Sequence, residues 1–312
     1  MKRLLPLLLL LAACQSHEAV HHSLQVTYEL SDGTTQVVQI DRPYRAREGS
    51  LGWSEDGTYL GAQQSAALPP GFPGPYSRLD VALPEALAQG LVRDLGTTRT
   101  VAGRSCHEWE SRQPLDGAPF APATRTDRTV SCVDGSGLLL ADTWTSGGRV
   151  LRTRTATSVG DGPSLLGNGL YGGSAPTPLP TGSAVVTPAT PEKLLGLLQV
   201  PVPAVPAGLH LDRSVAVVEL SNGAASREGA VLTYVSGDRM LVLRLSRALV
   251  TGDQPTVHGA EVRVGPMRGR LLPVLAGLQL HLDGPRGLQV TVTTDLPREQ
   301  LLSWAGGLHL GE

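Results

Sequence analysis

The sequence contains few aromatic and few charged residues. Only 4% of the 312 residues are Phe, Trp or Tyr and 17% are charged, whereas 41% are hydrophobic. Disordered chains combine low hydrophobicity with high net charge, so we expect a folded protein whose core consists mainly of Leu, Val and Ala. The formal net charge of −2 indicates no basic surface for phosphates, and we predict no nucleic-acid partner.

Long apolar runs are also missing. The leucine-rich run at residues 4–11 is shorter than the roughly 20 residues that cross a bilayer as a helix. The next most apolar stretch, residues 194–211, contains Pro201, Pro203 and Pro206. The first run follows Lys2 and Arg3, as in a secretory signal peptide. We therefore expect residues 1–13 to be a signal peptide that exports the chain.

The apolar run ends in Leu11-Ala12-Ala13-Cys14, which resembles the lipobox of bacterial lipoproteins. The resemblance implies cleavage before Cys14 and acylation of that cysteine, and two or more acyl chains form a stable membrane anchor. An ordinary signal peptide that happens to contain a cysteine is the alternative. Gln15 stands where an aspartate would favour the inner membrane. We expect a protein anchored in the cell envelope, periplasmic or surface-facing, with the outer membrane favoured.

Motifs of enzymes and metalloproteins are absent from the sequence. It contains neither a G-x-S-x-G nucleophile motif nor a phosphate-binding P-loop. His210, His258, His281 and His309 lack metal-ligand spacing. His17, His21 and His22 lie in the polar segment 14–23, which is predicted to be a solvated tether, with metal binding as the alternative. We predict a non-enzymatic protein without catalytic residues, metal or cofactor other than the lipid on Cys14.

Two cysteines remain after Cys14, namely Cys106 and Cys132. An exported pair is most simply a disulfide, because the compartment is oxidising. The alternative is a reactive Cys106 beside His107. Adjacent residues of a strand point to opposite faces, so we favour the disulfide.

Hydrophobic patterning divides the chain into two domains. Residues 24–159 begin with the alternating strand Leu24–Leu30 and the turn at Asp32-Gly33, and residues 191–312 begin with a helix start at Thr190-Pro191. Residues 160–190 are rich in Gly, Pro, Ser and Thr and are predicted to be a linker, with a lid or docking segment as the alternative. Leucines 83, 87, 91 and 95 predict an amphipathic helix.

Further alternating segments predict the remaining strands. In the first domain they are residues 99–111, 127–133, 137–145 and 149–158, and in the second residues 213–220, 230–236, 239–246, 259–264, 276–282 and 287–294. Asp295 is predicted to open a last helix that contains Leu301 and Trp304. The predicted fold class is α+β, with two domains of curved, half-barrel-like antiparallel sheet, each packed with one or two helices.

Two motifs of the first domain resemble those of a known family. Val101-Ala102-Gly103-Arg104 has the V-x-G-R form, and residues 134–140 have the form Asp-x-x-Gly-Leu-Leu-Leu. They resemble motifs of the LolA, LolB and RseB families of lipoprotein carriers, lipoprotein receptors and envelope-stress regulators. Residues 277–310 resemble the C-terminal domains of lipoproteins linked to sigma-factor regulation. The resemblance implies an open half-barrel whose apolar concave face is covered by helices.

That fold suggests three functions. The first is binding of acyl chains of a lipid or lipoprotein, or of a hydrophobic partner segment, on the concave face. The second is regulation through an anti-sigma factor or another membrane partner, which the arginines 149, 152 and 154 would contact as a basic surface cluster. The third is a structural surface module without ligand. The candidate ligand-lining residues are Val26, Tyr28, Trp53, Leu87 and Leu91.

Overall fold

The computed structural model describes residues 23–41, 45–48, 51–54, 57–60, 63–66, 78–112, 127–162, 183–221, 224–237, 239–248, 259–274 and 277–310. The helices are α1 (Leu79–Ala88), α2 (Pro191–Leu198) and α3 (Arg298–Gly306). The first-domain strands are β1 (Ser23–Leu30), β2 (Thr35–Asp41), β3 (Arg45–Glu48), β4 (Leu51–Ser54), β5 (Gly57–Leu60), β6 (Gln63–Ala66), β7 (Val92–Val101), β8 (Arg104–Ser111), β9 (Asp127–Asp134), β10 (Leu139–Ser146) and β11 (Arg149–Asp161). The second-domain strands are β12 (Ser183–Pro188), β13 (His210–Ser221), β14 (Ala224–Ser236), β15 (Arg239–Ala248), β16 (Ala260–Val264), β17 (Met267–Val274), β18 (Gly277–Asp283) and β19 (Leu288–Thr294).

The first domain is one antiparallel sheet with α1 packed into its core. The strand order is β6-β5-β4-β3-β2-β1-β11-β10-β9-β8-β7. Part of β7 lies close to β11 although β8, β9 and β10 separate them in this order, so the sheet is strongly curved. The second domain is an antiparallel sheet of order β12-β13-β14-β15-β19-β18-β17-β16, and α2 and α3 pack into its core. The predicted α+β class of two curved antiparallel sheets with packed helices is confirmed.

The helix of the first domain lies earlier than its leucine spacing predicted. It ends at Ala88, because Gly90 adopts φ +69° and forms a Schellman cap. In this cap Gly90 N–H donates to the Leu87 carbonyl and Leu91 N–H to the Ala86 carbonyl. Leu91 therefore follows the helix and Leu95 lies in β7, so the prediction that both belong to the helix was wrong.

The V-x-G-R and D-x-x-G motifs are turns that contact each other. Ala102 (φ +49°) and Gly103 (φ +76°) form the β7–β8 hairpin turn, so the predicted single strand 99–111 is two strands. Arg104 Nε donates to Asp134 Oδ2 at 2.7 Å. Asp134 Oδ1 also accepts from Leu138 N–H at 3.0 Å, which holds the predicted β9–β10 turn. The motifs therefore tie two hairpins of the sheet together.

In the second domain most predicted elements are present. Thr190 caps α2 by accepting from Lys193 N–H at 3.4 Å. Strand β17, which contains Pro273, was not predicted. Asp295 was predicted to open α3, but that helix begins three residues later at Arg298 after Pro297, and Asp295 has a different role described below.

The tether and the linker are covered only in part. Cys14 and the tether 14–22 lie outside the described residues. Within the predicted linker 160–190, β11 continues to Asp161 and β12 occupies Ser183–Pro188, whereas residues 163–182 lie outside the described part of the chain.

Candidate binding face and the domain junction

One half of one face of the first sheet consists of apolar side chains. We call this half the apolar strip, and its members are Val26, Tyr28, Val38, Ile40 and Ala156. Strand register places these residues on one face, because Tyr28 pairs with Ala156 and Val26 with Val38. They belong to the same buried cluster as Leu79, Ala82, Leu83 and Ala86 of α1. The protein's own helix therefore contributes to the core that contains this strip.

The candidate ligand-lining residues have different environments. Val26 and Tyr28 are 0% exposed, and the Tyr28 hydroxyl donates to the Leu139 carbonyl at 2.7 Å. Leu87 is 44% exposed on α1, and Leu91 packs against the core just beyond the helix. Trp53 lies in β4, and its side chain lies outside the described part. The structure thus places Val26 and Tyr28 together in the core and Leu87 on the surface.

The same sheet face continues into a polar half centred on a buried ion pair. Arg154 pairs across the strands with Asp142, and the two side chains, 1% and 0% exposed, form an ion pair. The Arg154 guanidinium carbon also lies 5.2 Å from the centroid of the Tyr28 ring, an arrangement typical of a cation–π contact. Arg154 therefore joins the polar half to the apolar strip.

The predicted basic surface cluster is wrong for Arg154. Arg152 Nη2 lies 3.4 Å from the same Asp142 Oδ2, and its guanidinium carbon lies 5.9 Å from the Trp144 ring centroid. Of the three arginines only Arg149 is exposed. The alternation of Arg and Thr at residues 152–155 is typical of a solvated strand. Asp142 on the neighbouring strand β10, however, pairs with both Arg152 and Arg154 on the inner face of the sheet.

Polar groups also lie beside this ion pair. Ser131, opposite Asp142 in the sheet, and Thr129 are both 0% exposed. Their hydroxyl oxygens make no hydrogen bond within the described residues, and such groups commonly bind ordered water. This half of the face is chemically unsuited to an acyl chain, because an apolar ligand would leave the hydroxyls without partners.

Helix α1 contacts both domains through two different faces. Leu79, Ala82, Leu83 and Ala86 recur at the i, i+3, i+4, i+7 spacing of one helix face and lie in the first-domain core. Val81 packs instead against the core of the second domain. Arg78, Glu85 and Gln89 share the Val81 face by the same periodicity, and all three bind second-domain residues.

We call these contacts between α1 and the second domain the domain junction. Arg298 Nη1 donates to Glu85 Oε1 at 2.8 Å, and Gln89 Nε2 donates to the Leu271 carbonyl at 3.0 Å. Arg78 forms ion pairs with Asp80 and Asp295. Among the described residues, these contacts include the apolar packing of Val81 and three polar contacts. No sequence motif indicated them, because the partners lie about 200 residues apart.

Asp295 is the most buried charged group of the junction. Its side chain is 0% exposed, and its Oδ1 accepts from Met240 N–H at 2.9 Å. Burial raises the pKa of Asp295 to about 6, although Arg78 and the Met240 hydrogen bond act in the opposite direction.

A second group with a shifted pKa lies in the sheet of the second domain. The His281 ring nitrogens lie 2.7 Å from Gln279 Oε1 and 3.2 Å from Thr291 Oγ1. Burial and then the positive charge of Arg244 lower the pKa of His281 to about 4. This histidine is therefore neutral at physiological pH.

The predicted disulfide is confirmed. Cys106 and Cys132 are bonded on the neighbouring strands β8 and β9, with their Cα atoms 5.3 Å apart. His107 is not a partner of a reactive thiol, because its ring contacts Asp94 and lies 5.2 Å from the Trp109 ring. The disulfide and these contacts stabilise the β7–β9 end of the sheet.

The described residues contain neither a metal cluster nor a membrane-spanning helix. Among them no group of three or more His, Cys, Asp or Glu side chains could hold a metal ion. No helix in this part of the chain has the length and apolarity needed to span a bilayer.

Comparisons with known proteins give distant similarities only. The sequence matches no family model and no curated protein. Among solved structures, MucB in complex with MucA(peri) aligns over 93% of this chain and 94% of that chain, with 17% identity and a TM-score of 0.29. MucB alone aligns over 94% of both chains, with 16% identity and a TM-score of 0.30. Both TM-scores are below 0.5, so these similarities do not identify the function of this chain.

Proposed function

We propose that this protein is a non-enzymatic, lipid-anchored binding protein of the cell envelope that regulates a membrane-anchored protein partner, such as an anti-sigma factor. The observation that carries the proposal is the closed first-domain core. Val26 and Tyr28 are fully buried in a cluster completed by α1. Because the described residues of this core are buried against one another, a protein partner would bind the outer surface of the chain.

The N-terminal sequence supports the location of this activity. Acylation of Cys14 in the Leu11-Ala12-Ala13-Cys14 segment would tether the two domains to a membrane through residues 15–22. A tether of this kind keeps the protein near partners in the same membrane, and the raised local concentration strengthens a weak contact without further interactions.

Exposed apolar side chains provide a surface for the partner. Leu197, Val202 and Val205 are 69%, 48% and 53% exposed and lie in one short segment from the end of α2 towards β13. Burying apolar side chains such as these against a partner favours association through the hydrophobic effect. We assign the partner contact to this segment of the second domain.

Binding of acyl chains is the second candidate. The apolar strip and the α1 residues in its cluster form a continuous apolar core, which a lipid could enter if the helix moved aside. The buried ion pair of Arg154 with Asp142 limits such a site to the apolar half of the face.

The test uses a Cys14→Ala variant that is exported with an ordinary cleavable signal peptide in place of residues 1–13, so that it carries neither the apolar leader nor an acyl anchor. Native mass spectrometry reports any copurified lipid, and calorimetric titration measures binding of the periplasmic part of the anti-sigma factor from the same cell. We expect a lipid-free mass and a one-to-one complex that Leu197→Asp and Val205→Asp weaken at least tenfold. Val37→Asp, which alters a 40% exposed valine of β2, is the matched control and leaves affinity unchanged.

The two candidates give different results. Copurified lipid together with no complex would support acyl binding and overturn the regulatory proposal. A lipid-free protein that binds neither lipid nor the anti-sigma factor would leave the structural module as the remaining hypothesis.

A further inference from the structure

We propose that α1 is a lid that the second domain holds shut, so that opening of the first-domain core and separation of the two domains are one coupled event. The ion pairs of Glu85 with Arg298 and of Arg78 with Asp295 form the latch. The inference goes beyond the proposed function and does not depend on which partner the protein binds.

The lid function follows from the first face of α1. Its four core residues belong to the cluster that buries Val26 and Tyr28 completely. Access to this core past the helix therefore requires α1 to move, which exposes Leu79, Ala82, Leu83 and Ala86 as well.

The latch follows from the second face of the same helix. If α1 moves away from the second domain, it loses the Arg298–Glu85 hydrogen bond of 2.8 Å and the Gln89–Leu271 hydrogen bond of 3.0 Å. Val81 also leaves the second-domain core. If these contacts persist, the second domain has to move with the helix relative to the first sheet. Either way, opening the core breaks or displaces the contacts of the domain junction, which join the domains in addition to the contact between β6 and β12.

The burial of these charges makes the latch specific. Glu85 is 7% exposed, and the Asp295 side chain is wholly buried. Removing one partner therefore leaves a shielded charge without its counter-charge, which costs more than losing a surface ion pair. Thermodynamic linkage makes the effect reciprocal. A ligand that binds the open core more tightly lowers the equilibrium constant for the domain contact by a certain factor. Separation of the domains raises the affinity for that ligand by the same factor.

The experiment uses the soluble Cys14→Ala chain and the apolar fluorescent dye N-phenyl-1-naphthylamine as the probe of the open core. Arg298→Gln and Glu85→Gln each remove one ion pair of the latch, and we expect dye affinity to rise about fivefold or more, the scale of typical coupling between sites. Amide hydrogen exchange of α1 should accelerate in both variants. Saturating dye should increase the radius of gyration of the chain in X-ray scattering.

The matched control is Arg93→Gln, which removes an exposed ion pair with Glu110 of 3.1 Å within the first domain and should leave all three readouts unchanged. Thermal unfolding checks that each variant is folded. Folded latch variants with unchanged dye affinity and unchanged α1 exchange would overturn the proposal. So would a rise in dye affinity without any change in the radius of gyration, because the lid would then open independently of the second domain.

Discussion

Arg298 at the start of α3 donates a hydrogen bond to Glu85 in α1 at 2.8 Å, across 213 residues of sequence. The two helices pack into the cores of different domains. This side-chain contact is therefore one of those that join the two domains. Arg78 and Gln89 flank α1 at its two ends, so three polar contacts to the second domain lie along this helix.

Breaking the buried ion pair of Arg154 with Asp142 should destabilise the first domain strongly. Asp142→Asn leaves the buried Arg154 charge uncompensated, and we expect the free energy of unfolding to fall by about 3–5 kcal/mol. Urea denaturation of the soluble chain measures the change. Arg149→Gln, at an exposed position of the same strand, should change stability by less than about 0.5 kcal/mol. Similar values for both variants would show that the pair is not buried as described.

Replacing Gly137 should destabilise the first domain, because the N-terminus of α1 lies against this residue. A Cβ atom at this position would lie 2.8 Å from the backbone nitrogens of both Leu79 and Asp80, and the residue has φ +82°. We expect Gly137→Ala to cost more than about 2 kcal/mol of stability, since backbone strain adds to a clash with rigid backbone. Gly135→Ala in the same turn is the control, because a Cβ there meets nothing within 4 Å. Equal melting temperatures of the two variants would contradict the prediction.

The disulfide should contribute to stability through the unfolded state. Cys106 and Cys132 are 26 residues apart, and closing a loop of this size stabilises by roughly 3 kcal/mol in the chain-entropy model. We expect the double variant Cys106→Ser, Cys132→Ser to lose about this amount under oxidising conditions. Adding reductant should lower the melting temperature of the original chain but not that of the variant. If reductant lowered the melting temperature of the double variant as well, the effect would not be due to the disulfide.

Asp295 and His281 should affect stability in opposite directions between pH 4 and pH 6.5. Asp295 has its pKa raised from 3.8 to about 6, so the folded state binds the proton more tightly. Its stabilising contribution is complete below pH 3.8 and is lost as the pH rises through 6. His281 has its pKa lowered from 6.5 to about 4, so its contribution is complete above pH 6.5 and is lost as the pH falls towards 4.

Single variants separate the two contributions. Relative to Asp295→Asn, the original chain should lose up to about 3 kcal/mol of stability as the pH rises from 4 to 7. Relative to His281→Gln, it should gain about 3 kcal/mol over the same range. Chemical denaturation at several pH values measures both differences. Difference curves that are flat with pH would mean that neither group has a shifted pKa.

Much of the fold follows from local patterning. The turn at Asp32-Gly33, the Asp134–Gly137 turn, the start of α2 at Thr190-Pro191 and most second-domain strands match their predictions, because turn residues and alternation are local signals. The end of α1 was missed because the leucines at 87, 91 and 95 continued a helical period past Gly90. Its cap depends on backbone conformation at that glycine, which the leucine spacing does not reveal.

The candidate site was predictable only in part. The pairing of Cys106 with Cys132 could be inferred from composition and the expected compartment. The inward orientation of Arg154 could not, because Arg and Thr alternate on β11 as they do on a solvated strand. Only the neighbouring strand β10, which brings Asp142 opposite Arg154, makes burial of that charge possible.

The sequence alone determined the elements whose physical causes are local, including strand alternation, hairpin turns and a helix N-cap, together with the expectation of a lipid anchor on Cys14. The tertiary structure decided which charged side chains are buried and which domain each face of α1 contacts. Residues 78, 81, 85 and 89 acquire their role from Leu271, Asp295 and Arg298, which lie about 200 residues away. Long-range contacts of this kind depend on how two sheets pack around one helix, and the local sequence pattern of that helix does not determine this packing.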